Sequence, residues 1–364
     1  MRPVDERNRL RICLIAHCRF PIREPFTGGL ESMTWHLAHE LVRRGHEVAV
    51  FAAPGSDPEL QVIDLPVSPL PGDGTGRLDV DTPAPVAVAD HHAYLSLMLD
   101  LAREGTTRFD VVHNNSLHYL PVAMAPALSV PLVTTLHTPP LTWLESAIRI
   151  DAGASTFAAV SSFTADAWSG VVDSVCVPNG VDTERWRPGP GGPTAVWSGR
   201  LVPEKAPHEA IDAARRAGVP LVLAGPVLDP AYFRASVEPR LGGDVTWAGH
   251  LHQDALADLV GRSAVAVVTP AWDEPYGLVA AEAMSCGTPV AAYARGALPE
   301  IVGPSVGRLA APGDLDMLAE AIRDAATLDR AAVRAHAVEQ LSLTRMVDEY
   351  EAMYLRLARC DAAA

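Results

Sequence analysis

ERWRPGPGGPTAVWSGR, residues 184–200, places three prolines and three glycines between Arg187 and Thr194 and then turns at once into a short apolar run. Proline lacks an amide donor and fixes φ, while glycine leaves the backbone loose, so this cluster suits an exposed joint and not the interior of an element. The joint divides 364 residues into two parts, each long enough for a core of its own.

The same alternation runs on both sides of it. Upstream, LRICLIAH (10–17) is a short run rich in branched residues and reads as a strand. It is followed by TGGLESMTWHLAHELVRRG (27–45), in which Leu30, Met33, Leu37 and Leu41 recur at helical spacing and Gly45 stands where a helix ends. HEVAVFAAP (46–54), FDVVHNN (109–115), VPLVTTLH (130–137) and STFAAVSS (155–162) continue the strands. Downstream, TAVWSG, VPLVLAG, DVTWAG and AVAVVTP alternate with the helical stretches APHEAIDAARRAG and QDALADLVGRS. Strands separated by helices predict parallel sheets, so the expected class is α/β with two doubly wound, Rossmann-like domains facing a cleft. The predicted limits are 1–187, 188–343 and a terminal segment 344–364. In that segment Met346, Tyr350, Tyr354 and Leu357 form an amphipathic stripe that must cover an apolar surface.

Composition narrows the partners. A formal net charge of −15 argues against nucleic acid and against broad electrostatic docking on an anionic membrane, and favours a small or neutral partner. Cys13, Cys18, Cys176, Cys286 and Cys360 are odd in number and scattered without a CxxC pair, which fits a reducing cytoplasm. The N-terminal apolar run is too short for a signal sequence, and no stretch of about 18 uncharged apolar residues occurs, so no transmembrane segment is predicted. Peripheral attachment to a membrane stays open.

Four features carry possible chemistry. Gly28 and Gly29 open a helix, where bare amides can approach a phosphate, although a plain tight turn would use the same pair. Arg200 and Lys205 lie in the loop after the first strand of the second part, a place where two cations can hold a diphosphate whose charge grows as it leaves. DEPYGLVAAEAMSCGTPV (273–290) sets Glu274 before a Tyr-Gly turn and Glu282 in the helix beyond it, about two turns in, with Gly287 just past its end. A carboxylate among Val279, Ala280, Ala281, Ala283 and Met284 is costly unless a ligand rich in hydroxyls satisfies it. Finally, His17, His113 and His137 follow strands and are expected to face the cleft. His91 and His92 are adjacent and His118 is five past His113, so none of these pairs has the i, i+4 spacing of a helical zinc site, and no metal is expected.

SGRLVPEKA, VPNGVDTERW, AGH, DEPYGLVAAEAMSCGTPVAA and LPEIVG, in this order, with TGGLE and TLHT ahead of them, resemble family 4 of the retaining, nucleotide-sugar-dependent glycosyltransferases of GT-B fold. The likeness runs from about residue 10 to 358. It implies a C-terminal helix crossing back onto the first domain. By the same resemblance Glu282 would hold the ribose hydroxyls and Glu274 the hydroxyls of the transferred sugar. The amides of Tyr276, Gly277 and Leu278 would approach sugar and diphosphate, and Arg200 and Lys205 would hold the leaving diphosphate while Gly28 and Gly29 close on it. His137 would lie beside the anomeric carbon, and Gly249, His250 and Leu251 would cover the base. The usual GGAE is GGLE here, and the stretches around AHCRFPIREPFT, HNNSLHYL and TPPLTWLE match no acceptor class.

Retaining hydrolases use two carboxyls about 5–5.5 Å apart, one of them a nucleophile. Both glutamates here belong to the donor side, so the expected mechanism is front-face transfer, with the diphosphate itself taking the acceptor's proton. The donor is expected to be a UDP-sugar, the acceptor a small molecule, glycan or lipid, and no cofactor or metal is required. The alternative is a sugar-nucleotide epimerase or hydrolase of the same fold. A silent sugar-nucleotide-binding protein is disfavoured by the intact set of four charged residues. A Rossmann dehydrogenase is disfavoured by the incomplete glycine fingerprint and by Asp57, which comes late in its loop.

Overall fold

The computed structural model of the protein describes residues 8–65, 67 and 85–361. The outermost residues of the expected terminal segments, and the side chain of Cys360, lie outside the described residues.

The first sheet contains β1 (Arg11–Ile15), β2 (Glu47–Ala52), β3 (Val62–Asp64), β4 (Val111–Asn114), β5 (Leu132–Leu136), β6 (Ser155–Ala159) and β7 (Val175–Cys176) in the order β3-β2-β1-β4-β5-β6-β7. The second contains β8 (Ala195–Ser198), β9 (Leu221–Ala224), β10 (Val245–Trp247), β11 (Val265–Val268), β12 (Val290–Tyr293) and β13 (Gly307–Ala310) in the order β10-β9-β8-β11-β12-β13. Every pairing between these strands is parallel. Covered on both faces, β5, β11 and β12 are buried at every position, which is why none of them alternates apolar with charged residues. The Pro-Gly joint lies between the two sheets. The order reverses between β1 and β4 and again between β8 and β11, and the loops leaving those strands frame a crevice.

The helix Gly29–Arg44 begins at Gly28, in extended conformation, and ends at Gly45 with φ +102°, whose amide bonds the carbonyls of Leu41 and Val42. Its buried stripe of Met33, Leu37 and Leu41 shares a core with Met346, Tyr350 and Tyr354 of the C-terminal helix Leu343–Asp361. That helix therefore crosses back onto the first sheet. Arg44 ties the two helices, 2.9 Å from Glu40 and 2.6 Å from Glu351. The crossing is closed by paired backbone bonds between Val181 and the 341–343 segment, 2.8 Å each. Gly180 lies beneath it, where a Cβ would come within 2.5 Å of the Ser342 carbonyl.

The burial of this helix corrects the expectation for His113. It is enclosed rather than open to the cleft, its Nδ1 2.5 Å from the Tyr354 hydroxyl and its Nε2 2.7 Å from the Thr135 hydroxyl, and burial lowers its pKa to about 3. A residue near a strand's end can face the sheet's covering helix as readily as the crevice, and here the C-terminal helix occupies that side. Tyr354→Phe removes one partner of a buried nitrogen and is expected to cost about 1–3 kcal/mol in equilibrium denaturation. A loss under about 0.5 kcal/mol would show that the bond contributes nothing to the docking.

Candidate functional site

A cavity of about 420 Å³ lies between the carboxyl ends of the two sheets, within the range of small-molecule sites. Of the residues singled out in the sequence, Gly28, Gly29, His137, Arg200, Lys205, His250, Leu251, Glu274, Tyr276, Gly277, Leu278 and Glu282 all line it. Gly249 stands just behind the wall, its carbonyl accepting the Gly225 amide at 2.8 Å.

Glu282 lies on the helix Leu278–Ser285, one turn from its start rather than two, because the helix begins only after Gly277. Gly277 has φ +98°, and a Cβ on it would come within 2.7 Å of Leu298. Glycine is thus required both for the turn and for the close packing that aims the helix N-terminus at the cavity. Among the described residues the Glu282 carboxylate has no hydrogen-bond or ion-pair partner, and burial pushes its pKa to about 8.

Glu274 differs. Its Oε2 accepts from Lys205 Nζ at 2.5 Å and from Trp272 Nε1 at 3.2 Å, and the ammonium also lies 5.1 Å from the Trp272 ring centroid. The two cations expected to hold a diphosphate thus differ in their surroundings. Lys205 is paired within its own sheet's loops, whereas the nearest carboxylate that pairs with Arg200, that of Glu204, is 3.9 Å away.

Arg200 meets the first sheet directly: a Cβ on Gly28 would be 4.0 Å from its Cδ and Nε. A Cβ on Gly29 would be 2.9 Å from Leu278 Cδ1. The bare N-terminus of the first helix, Arg200 and the N-terminus of the Leu278 helix so converge on one spot from both sides, an arrangement that suits a multiply charged anion. Glu31, only 6% exposed, places its Oε2 3.2 Å from where a Gly28 Cβ would stand. Its pKa is raised by burial, against the opposing pull of nearby backbone amides and Arg200.

His137 donates Nε2–H to Asn115 Oδ1 at 3.0 Å, and burial lowers its pKa to about 3. It is a neutral imidazole at working pH, so it can orient a ligand but supplies no positive charge. His17, after β1, also faces the cavity; its Nδ1 accepts the Arg19 amide at 2.9 Å, which leaves Nε2–H free to donate.

Asp57, the residue a dehydrogenase would need at the cavity, lies outside it and accepts the Trp35 indole N–H at 2.6 Å. With His39 and Glu59 it forms a group whose ligand atoms lie within 4.8 Å of one another, away from the site.

Sequence reasoning missed a clasp across the cleft. Glu24 pairs with Arg185 at 2.5 Å and accepts the Gln253 amide at 3.1 Å; Gln253 Nε2 donates to Ser32 Oγ at 3.1 Å. His250, expected to act through its backbone, also donates its ring Nε2–H to the Phe26 carbonyl at 2.9 Å. These bonds seat the 249–253 loop on the segment just before Gly28. No local pattern marks them, because the partners lie about 160 to 230 positions apart.

Two parallel sheets with their carboxyl ends closing on one cleft form the GT-B arrangement. Residues 182–339 match the family described as "Glycosyl transferases group 1", and residues 27–185 match "Glycosyltransferase Family 4". The D-inositol 3-phosphate glycosyltransferase of Mycolicibacterium paratuberculosis is 30% identical over 96% of this chain and 91% of its own length. The glycogen synthase of Mycobacterium tuberculosis is 28% identical over 81% and 82%. Among solved structures, Anabaena HepE in complex with UDP-glucose superposes with a TM-score of 0.70 over 98% of this chain and 100% of that one, at 18% identity, a likeness of fold. The chain belongs to the family 4 glycosyltransferases and is an enzyme of that class. No helix among the described residues is long and apolar enough to cross a membrane.

Proposed function

We propose that the protein transfers a hexosyl group from a UDP-sugar to an acceptor hydroxyl with retention of anomeric configuration. The observation that carries this reading is the unpartnered Glu282 carboxylate in a cavity that Gly28, Gly29 and Arg200 also line. A ribose diol donates the two hydrogen bonds this carboxylate lacks, and Gly28 and Arg200 line the same cavity. The UDP-glucose bound to the structural neighbour HepE supports uridine as the base.

Residues 188–343 hold the donor in this scheme, and residues 1–187 present the acceptor. The sugar rests against His137 and Glu274, the latter held by Lys205 and Trp272. In the reaction the bond from the anomeric carbon to the diphosphate oxygen breaks, the acceptor oxygen bonds to the same face of that carbon, and the acceptor proton passes to the leaving phosphate oxygen. The acids lining the cavity are Glu31, Glu274 and Glu282. Glu31 lies at the phosphate end, Glu274 is engaged by Lys205 and Glu282 faces the nucleoside, which leaves no carboxylate to serve as nucleophile. Positioning and charge stabilisation then supply the catalysis, and Arg200 takes the neutralising role that a metal plays elsewhere.

Calorimetry with UDP and GDP, followed by NMR of the product, tests the proposal. UDP is expected to bind and the product to keep the donor's anomeric configuration, with turnover unaffected by EDTA. An inverted product overturns the mechanism, and binding of neither nucleotide overturns the donor assignment.

A further inference from the structure

The wall of the cavity beyond His137 carries side chains that the donor does not use. Phe20, 37% exposed, stacks on His17 with ring centroids 5.8 Å apart and planes at 26°, and both line the cavity with Leu117 and Thr138. Beside them Trp143, 52% exposed, hangs its indole N–H on the Leu117 carbonyl at 3.2 Å and so fixes that loop. Grouped aromatics at the mouth of a cleft mark a surface that a ligand can cover. They form a platform for an apolar ring face, while the His17 Nε2–H and the Thr138 hydroxyl offer neutral hydrogen bonds.

Positive charge on this wall is already committed. Arg19 donates Nε to Asp90 Oδ2 at 2.6 Å and brings Nη2 within 2.5 Å of the same atom, and the Asp90 side chain is almost wholly enclosed. His17 and His137 are neutral, both pKa values being lowered first by burial. Lys205 is bound to Glu274, and Arg200 sits at the diphosphate spot. Among the described residues that line the cavity, Arg200 is the one Arg or Lys without a close carboxylate, and it stands at the diphosphate spot; Arg23, exposed three residues past Phe20, does not line the cavity, whereas Glu31 and Glu274 do.

We propose that the acceptor is an uncharged saccharide or polyol, its apolar ring face seated on Phe20, and not a phosphorylated one. A phosphate here would meet neutral imidazoles, with Arg200 already engaged by the donor's diphosphate. A neutral ring keeps its hydrogen bonds and gains the aromatic contact. The inference rests on the glycosyl-transfer reading and names the acceptor class of that same site.

The test measures UDP release from UDP-glucose, UDP-galactose and UDP-N-acetylglucosamine, alone and with matched pairs: glucose against glucose 6-phosphate, inositol against inositol 3-phosphate, maltose against maltose 6-phosphate. Neutral members are expected to stimulate release about 10-fold or more over the acceptor-free rate, and phosphorylated members much less. Stimulation by the phosphorylated members, or by neither set, overturns the proposal. Failure to bind UDP in calorimetry strikes instead at the transfer reading beneath it, so the two failures are distinguishable. Phe20→Ala is expected to raise the acceptor KM by about 3–10-fold, the worth of one aromatic contact, while moving the donor KM by less than about twofold. Phe20→Tyr should restore the acceptor KM. A fall in kcat alone, or donor and acceptor KM rising together, would mean that Phe20 does not seat the acceptor.

Discussion

Arg200→Ala is expected to lower kcat by about 10²–10³-fold while UDP affinity changes far less, the loss typical of removing one preorganised donor to a developing oxyanion. On the proposed mechanism the diphosphate gains charge as the sugar leaves, and a cation counts only to the extent that its charge is not already spent. Lys205 is 2.5 Å from Glu274, whereas Arg200 keeps Glu204 at 3.9 Å and lies against Gly28. Arg200 should therefore carry most of the stabilisation. Arg200→Lys restores a charge without the planar fork and should recover turnover in part. Single-turnover measurement of the chemical step decides the matter: near-normal turnover in Arg200→Ala sinks the assignment.

Glu282→Gln should act on binding and on stability in opposite directions. Losing hydrogen bonds to an ionised carboxylate costs about 1.5–3 kcal/mol, or about 10–10²-fold in UDP affinity, with kcat at saturating donor little changed. In the ligand-free protein the buried carboxyl holds its proton up to about pH 8, against about 4.3 for a free glutamate. The folded pKa is raised, so the associated stability is complete below about pH 4.3 and is lost as pH rises through about 8. Glutamine carries no such dependence. The Tm of the variant relative to the parent should thus climb between about pH 4.3 and 8 and level off beyond. Nucleotide binding, which favours the anion, should release a proton below about pH 8 in the parent and not in the variant, as calorimetry in two buffers of different ionisation enthalpy would report. Unchanged affinity together with unchanged proton release in Glu282→Gln would rule out the ribose contact.

Some elements escape a reading of the chain. The helix Pro85–Arg108 shows little sidedness along its length, since His91, His92 and Arg103 interrupt its apolar residues, and the pattern from 85 onward gives no stripe to follow. The edge strands Val62–Asp64 and Val175–Cys176 are too short for any periodicity to show, and exist because a neighbour offers a free ladder.

What the sequence by itself determined is everything governed by short-range pattern. The six-residue Pro-Gly cluster set the joint, branched apolar runs set the strands, and the 3.6-residue stripe set the first and last helices down to the stop at Gly45. The spacing of Glu274 and Glu282 about one glycine turn likewise put both carboxylates at one strand end. Only the tertiary structure decided which of these groups have partners. It buried His113 under Tyr354 and left His137 in the cleft, joined Lys205 to Glu274 across 69 residues, and left Glu282 alone. It also drew Glu24 to the Gln253 amide across 229 residues. Period and propensity are properties of neighbours along the chain, whereas a charge's partner, its burial and so its protonation are set by whatever surface folding brings against it.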